Sequence, residues 1–514
     1  MSLQKTKYAF NNAVSSNRTI GYESHEVRDM KFEDEGKLNP FLQRVLGRRD
    51  FLRASLAGAA GATLAGSAVD DVLGLNGPTV TQPPNILYIH SHDTGRLMSP
   101  YGYDVPTPNL QRLATEGILF RQTFCAAPTC SPSRASLLTG ECPHNNGMLG
   151  LVNRGFSMNN YQHHIIHTLR REAGYNSTLI GLQHIAKDPA VIGYDRVEII
   201  KGNRVEKVTP AAVQFLHNKP QQPFWLTVGY FETHRKYRKA GPEDDWRYTQ
   251  PPHPIPDADV TRSDMADFHA TVRELDWGVG EVLAALDATG LENNTLVIST
   301  TDHGIAFPMM KCNLYDGGMG VHMVMRGPGE FSGGKVCDAM ISQLDVFPTI
   351  CDLLKIAPPP WLQGRSFLPV LRGQAQEINE VVFAEVNYHA SYEPKRAVRT
   401  KGWKYIRHFG SYTHPVLPNC DDGPSKTLWV ENGWAKQNVP PEELYDLTFD
   451  PNERNNLAGD PLHRATLQMM QKRLNDWMIA TNDPLLHGPV QAPPGARVNP
   501  PNEISPHDPM YVVP

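Results

Sequence analysis

Residues 125–147 read CAAPTCSPSRASLLTGECPHNNG, and the centre of that stretch, Cys130-Ser131-Pro132-Ser133-Arg134, decides how the rest of the chain is read. A cysteine shortly before a proline, with an apolar run behind it, predicts a nucleophile seated at the first turn of a helix. Proline is tolerated there, and several backbone N–H groups have no intrahelical partner. Such an end attracts anions. Arg134, four residues on, can return along the first turn and offer a planar pair of donors to an oxyanion. The stretch predicts a site for a sulfate-like or phosphate-like group. An isolated cysteine and arginine would by default be a small buried hydrophobe and a solvated charge; the whole string changes that reading.

Around this stretch, 514 residues are too many for one ordinary core and predict a large and a smaller domain. Basic and acidic side chains nearly balance, 49 against 54, which argues against a nucleic-acid binder. Apolar content of 40% with 43 Pro and 41 Gly fits a loop-rich enzyme. The 7 cysteines are an odd count, far from the density of a disulfide scaffold, and leave Cys130 as the natural unpaired thiol. Arg48-Arg49-Asp50-Phe51-Leu52-Arg53 precedes an uncharged Ala/Gly/Leu run over 54–69, the pattern of a bacterial twin-arginine export signal, so a periplasmic or exported protein is expected. That run falls short of the ~20 residues that span a bilayer, and no stable membrane span is expected.

Taken in order, 1–75 reads as an extension carrying the export signal, 83–375 as the catalytic domain, 376–484 as a small C-terminal domain, and 485–514 as a Pro-rich tail extended over the surface. Apolar runs at 84–90 and 223–231 predict buried strands, the first of them parallel, and 176–180 and 295–301 read as further strands. Their ends carry Ser91-His92-Asp93, Gly181-Leu182-Gln183-His184, Glu232-Thr233-His234-Arg235 and Asp302-His303-Gly304, with Lys311 a little further on. Open α/β sheets place their chemistry at such ends. Thr107 begins one helix, and 265–286 reads as another from the spacing of Val272, Leu275, Val279, Val282 and Leu283. Strand alternating with helix predicts an α/β fold with a mainly parallel sheet flanked by helices. Past Leu371, runs at 381–386, 396–399, 403–407 and 443–447 predict an antiparallel sheet closed by a helix over 462–478, with Pro461 in its first turn. Asp93 and Asp302, each beside a histidine and near the anion-binding helix, make a plausible divalent metal site.

CSPSRASLLTG resembles, without a gap, the signature of the type I sulfatases of the alkaline phosphatase superfamily, in which the cysteine is oxidised to formylglycine and the aldehyde hydrate is the nucleophile. The chemistry has its own logic: a thiolate attacking sulfur leaves a stable adduct, whereas a geminal diol expels sulfate by re-forming its carbonyl. Further along, Pro143-His144-Asn145-Asn146-Gly147-Met148, the run from Asp302 to Pro308 leading to Asn313-Leu314-Tyr315, and Glu443-Leu444-Tyr445-Asp446-Leu447 with Asn456-Leu457 resemble the sulfamidase branch, which cleaves the sulfamate of N-sulfoglucosamine. The resemblance implies an alkaline-phosphatase-like sheet with a small C-terminal α/β domain. It also implies a sulfated-saccharide substrate and a formylglycine-generating maturation enzyme as partner, and leaves a homodimer open.

Residue by residue, the resemblance puts Asp93 and Asp302 on metal-ligand positions together with Cys130, and Arg134 on the arginine that holds the nucleophile. His184 falls on the histidine near the departing sulfate, and His234 and Lys311 on basic residues that contact the sulfate and protonate the leaving group. Three positions depart from the family pattern: His92 stands for the usual Asp, His303 for the usual Asn, and Leu182 for a sulfate-binding Lys. Calcium is the family's metal, but imidazoles at His92 and His303 suit Mn, Fe or Zn. The Asp-His pair at 302–303 also resembles related phosphonate monoester and phosphodiester hydrolases, which are the alternative reading. A second alternative is a non-catalytic binder of sulfated glycans. His144 could line the pocket or be structural; His163 and His164 read as solvated or structural. Glu385 and His389, at a strand end in the small domain, are placed at the substrate mouth from architecture alone.

Overall fold

Why these residues form two layers around a sheet is visible in the alternation of strand β1, Asn85–Ser91. Successive strand residues face opposite sides, and here both sides are apolar. Ile86 and Tyr88 join one buried cluster with Leu137, Leu138, Ile165, Leu169, Ile298 and Phe347, whereas Leu87 and Ile89 join another with Leu113, Val208, Leu216, Leu275, Val279 and Val297. Helices therefore cover the sheet on both faces. Helices α2 (Cys130–Thr139), α3 (Ile165–Ala173) and α6 (Val346–Leu354) lie on the first, and α1 (Pro108–Glu116), α4 (Val205–His217) and α5 (Asp259–Ala288) on the second.

The computed structural model describes residues 83–514. The twin-arginine segment and the apolar run behind it lie outside the described residues. With β2 (Ile118–Phe120), β3 (Asn176–Gly181), β4 (Arg196–Glu198), β5 (Phe224–Gly229), β6 (Thr295–Thr301), β7 (Met323–Arg326) and β8 (Lys335–Cys337), the eight-stranded sheet runs β4-β3-β5-β1-β6-β7-β2-β8. Every pairing is parallel except those of β7, which is antiparallel to both β6 and β2. The central strands end flush: His90 pairs with Gly229 and Thr300, and Gly181 with Gly229.

A second, antiparallel sheet runs β9 (Val382–Tyr388), β10 (Tyr392–Arg399), β11 (Trp403–His408) and β12 (Glu442–Asp446) in order. One face packs Val382, Ala384, Val386, Ala397 and Ile406 on Phe124, Leu314, Met319 and Met340; the other packs Val398, Tyr405 and Leu444 on Met470, Leu474 and Met478 of α7 (Arg464–Ala480). Pro461 opens a separate short turn, Pro461–His463, ahead of that helix rather than its first turn.

The tail differs from the expectation of a surface strap. Val490, Ala492, Ala496 and Val498 are buried, and Arg497–Val498 pairs with Tyr511–Val512. Small apolar side chains between prolines let this segment enter the edge of the large core, where Ala492, Ala496 and Val498 belong to the same cluster as Ile86. Among the described residues no helix is long and apolar enough to cross a membrane.

Candidate active site

Four neighbouring strands, β3, β5, β1 and β6, deliver the polar residues to one rim, because their last residues are level and the chain must leave the sheet there. His92 and Asp93 follow β1, with Asp93 in the left-handed region at φ 54, which aspartate tolerates better than most residues. Asp302 and His303 follow β6. Gly304 then lets the chain pass tightly under residues 316–320, since a Cβ there would lie 1.8 Å from the Gly317 carbonyl oxygen. Cys130 is the first residue of α2, whose ten residues are all buried.

These elements bring five donors together. His92, Asp93, Cys130, Asp302 and His303 each offer one ligand atom, all within 4.8 Å of one another, and all five residues are buried. His92 Nδ1 is 2.6 Å from Asp93 Oδ1 and 3.3 Å from Asp302 Oδ2; His303 Nε2 is 3.3 Å from Cys130 Sγ and 3.4 Å from Asp93 Oδ1. Because His303 Nδ1 sits 2.9 Å from the Gly304 carbonyl oxygen, which can only accept, the proton belongs on Nδ1 and the Nε2 lone pair faces the cluster. Two carboxylates, two imidazoles and a sulfur converging in a buried space fit a divalent transition metal.

Arg134 does not present a free fork to an oxyanion, and among the described residues it makes no hydrogen bond to Cys130. Its Nε and Nη2 donate to Asp302 Oδ2 at 3.1 and 2.8 Å, Nη2 also donates to the Ser91 carbonyl at 2.9 Å, and Nη1 meets His90 Nδ1. Asp302, the nearest buried anion, has claimed the guanidinium. Asp302 Oδ1 in turn accepts from the backbone N–H groups of Asp93 and His303 at 2.8 and 3.0 Å.

Lys311 is buried and donates to Asp93 Oδ2 at 2.8 Å and to Asp421 Oδ2 at 2.7 Å, with His234 Nε2 3.4 Å away. His234 Nδ1 lies 2.6 Å from the Arg235 carbonyl and donates to it, which leaves Nε2 as the acceptor toward Lys311. The His184 ring lies 5.6 Å from the His92 ring, and its Nδ1 is buried with no partner among the described residues. Leu182 takes only a backbone role here, its N–H donating to the Gly229 carbonyl at 2.8 Å, and brings no charge to the site.

Burial sets most of the electrostatics. It pushes the Cys130 thiol well above its ordinary range, against the pull of Lys311. It lowers His92 to about 4 despite Asp302 and Asp93, and lowers His184 well below the usual imidazole value, helped by the neighbouring His92 and Arg134. Burial opposes charge on Asp93 and Asp302 too, but Lys311 with His92 for the first, and Arg134 with His303 for the second, hold both carboxyls well below the usual range. Lys311 is kept cationic by Asp421 and Asp93 against its own desolvation. A buried, protonated thiol is a poor nucleophile.

Two residues of the rim had no sequence signal. Asp421 follows the short turn Leu417–Asn419 and, in Cys420-Asp421-Asp422-Gly423, reads as turn chemistry; His90 reads as the last apolar-strand residue. Of the two small-domain residues placed at the mouth, Glu385 turns away to His144, accepting from its backbone N–H at 3.0 Å and pairing with its Nδ1. His144 is therefore held in a structural network. His163 pairs with Glu141 at 2.7 Å and stacks on Trp361, and His164 is buried.

An open, mainly parallel sheet flanked by helices, whose strand ends gather a helix-borne cysteine with histidine and aspartate side chains, is an α/β fold of the alkaline-phosphatase-like type. Residues 84–356 match the family model described as Sulfatase, and 307–430 match N-sulphoglucosamine sulphohydrolase, C-terminal. The chain is 30% identical to the human N-sulphoglucosamine sulphohydrolase, over 79% of this chain and 92% of that protein. It is also 30% identical to an ulvan-active sulfatase of Formosa agariphila, over 81% and 85%. A solved structure described as in complex with its substrate D-glucosamine-2-N,6-O-disulfate shares the fold at TM-score 0.62 and 19% identity, covering 78% of this chain and 99% of that one. The chain belongs to the sulfatase family and is a sulfatase, a hydrolase of sulfate ester or sulfamate bonds.

Proposed function

We propose that this sulfatase removes sulfate from a sulfated sugar such as N-sulfoglucosamine, with formylglycine made from Cys130 as nucleophile and a divalent metal in the adjacent cluster. The observation that carries the reading is the convergence of four His and Asp ligand atoms on Cys130, whose buried thiol is held protonated and is of little use as a nucleophile until it is modified. His92, Asp93, Asp302, His303 and the oxidised Cys130 would hold the ion. Its mixed nitrogen and oxygen set favours Mn, Fe or Zn over calcium. When bound, the ion supplies positive charge against the substrate oxyanion and polarises sulfur. The aldehyde hydrate supplies one hydroxyl for attack and a second through which the carbonyl re-forms.

The chain's own groups manage protons and orientation. Arg134 fixes Asp302, so one ligand carboxylate cannot swing away. Lys311, cationic and fixed between Asp93 and Asp421, with His234 at 3.4 Å, protonates the departing nitrogen or oxygen. His184, neutral and with a free Nδ1, accepts the proton released as the aldehyde re-forms.

The test is a set of specificity constants for N-sulfoglucosamine, an aryl sulfate and an aryl phosphonate, using protein matured in its native host with Cys130→Ala as control. A preference for either sulfur substrate, lost in the control, is expected. A preference for the phosphonate would move the reading to the phosphonate hydrolases, for which the Asp302-His303 pair speaks, and turnover by the control would exclude the nucleophile. Export through the twin-arginine pathway, argued from Arg48-Arg49, belongs to the same proposal and is read by cell fractionation.

A further inference from the structure

His389 lies in the turn between β9 and β10, and an unusual amount of hydrogen bonding holds that turn still. The backbone N–H groups of Ala390 and Ser391 both donate to Asn419 Oδ1 at 2.9 and 2.8 Å. The Ala390 carbonyl accepts from the Asn499 N–H at 2.9 Å, and Ser391 Oγ donates to the Asn499 carbonyl at 2.9 Å. Asn419 stands two residues before Asp421, whose Oδ2 meets Lys311 at 2.7 Å. One asparagine thus fixes the His389 turn and the Asp421 loop in a single frame beside the catalytic lysine.

The imidazole at the centre of this frame is only 5% exposed, and its buried Nδ1 has no partner among the described residues. Leaving a buried polar group unpaired is a cost that native structures rarely bear without a role. Burial holds His389 well below the usual imidazole range, with Lys311 lowering it further and Asp421 opposing. A neutral imidazole and a carboxylate make a hydrogen-bonding pair suited to hydroxyl groups, and the Asp421 charge repels a second anion.

We propose that His389 and Asp421 form the subsite for the sugar ring bearing the scissile sulfate, and that it takes an uncharged hydroxyl face of that ring. The proposal rests on the sulfatase reading above. Its test measures kcat/KM for N-sulfoglucosamine and for 4-nitrophenyl sulfate, which has no hydroxyls, in the matured wild type, His389→Ala and His389→Gln, with thermal melts to establish folding. The expected result is a fall of tenfold or more in the sugar-to-aryl ratio for His389→Ala, carried mainly by KM, with part of the ratio regained by His389→Gln. A wild type that cleaves the sugar substrate while both folded variants keep its ratio would overturn the subsite and leave the sulfatase reading standing. An equal fall on both substrates would make His389 merely structural. A wild type inactive on every sulfur substrate would overturn both readings.

Discussion

At the scale of single residues, the position of Arg134 changes what a signature arginine is for. Four of its five N–H groups go to Asp302, Ser91 and His90, so it helps to keep the Asp302 carboxylate ionised and fixed inside the protein. Removing one partner of a buried ion pair typically costs about 3–5 kcal/mol. Arg134→Met is expected to lose about that much stability in chelator-treated protein, and added divalent metal should restore part of the loss in a denaturant titration. Lys311 leads to a different expectation. A sulfamate or sugar oxygen must be protonated as it leaves, whereas 4-nitrophenolate need not be. Lys311→Ala should lower kcat on N-sulfoglucosamine by roughly 10²–10⁴-fold and on 4-nitrophenyl sulfate by much less. Equal losses on both would remove Lys311 from the acid role.

At the scale of elements, the parts of the fold that could be read from sequence are those whose pattern is long and self-sufficient. β1 and β5 are apolar enough on both faces to announce buried strands, β3 and β6 follow as strand-like runs, and the α5 stripe from Leu275 to Leu283 is regular. Short strands such as Ile118–Phe120 and Lys335–Cys337 carry too few residues for a period, and Pro210 interrupts the pattern of α4. Residues on those strand ends were legible as site residues. Asp421 was not legible, because only the folding of a loop from the second half of the chain brings it to Lys311. The tail was misread because prolines suggested an extended surface strap while Ala492, Ala496 and Val498 supply core contacts. Truncation after residue 486 should therefore lower the melting temperature markedly, since it uncovers that patch and releases the Asn499 contacts to the 390–391 turn. An unchanged melt would return the tail to the surface.

At the scale of the whole molecule, buried neutral histidines make stability depend on pH. Burial lowers His164 to about 3 and both His269 and His322 to about 4. The unfolded chain binds protons at these sites near pH 6.5 while the folded chain does not, so the stability present above pH 6.5 is lost as the pH falls toward 4. Each histidine contributes a slope of about 1.4 kcal/mol per pH unit. Asp345 and Glu453, raised to about 6 and about 7 by burial, oppose this, because their folded forms keep protons that the unfolded chain has released. The three histidines outnumber the two carboxyls, so melting temperature should fall between pH 6.5 and 4.5, and His164→Gln should make the fall shallower. A flat profile in both proteins would contradict the burial of these rings.

The catalytic account turns on one side chain, and the most direct measurement is the mass of the peptide containing Cys130 from protein matured in its native host, taken on the same sample whose sulfate or sulfamate turnover has been measured. An aldehyde in place of the thiol, in active protein, is the predicted result. A fully active sample in which residue 130 is still an unmodified cysteine would contradict the account at its centre.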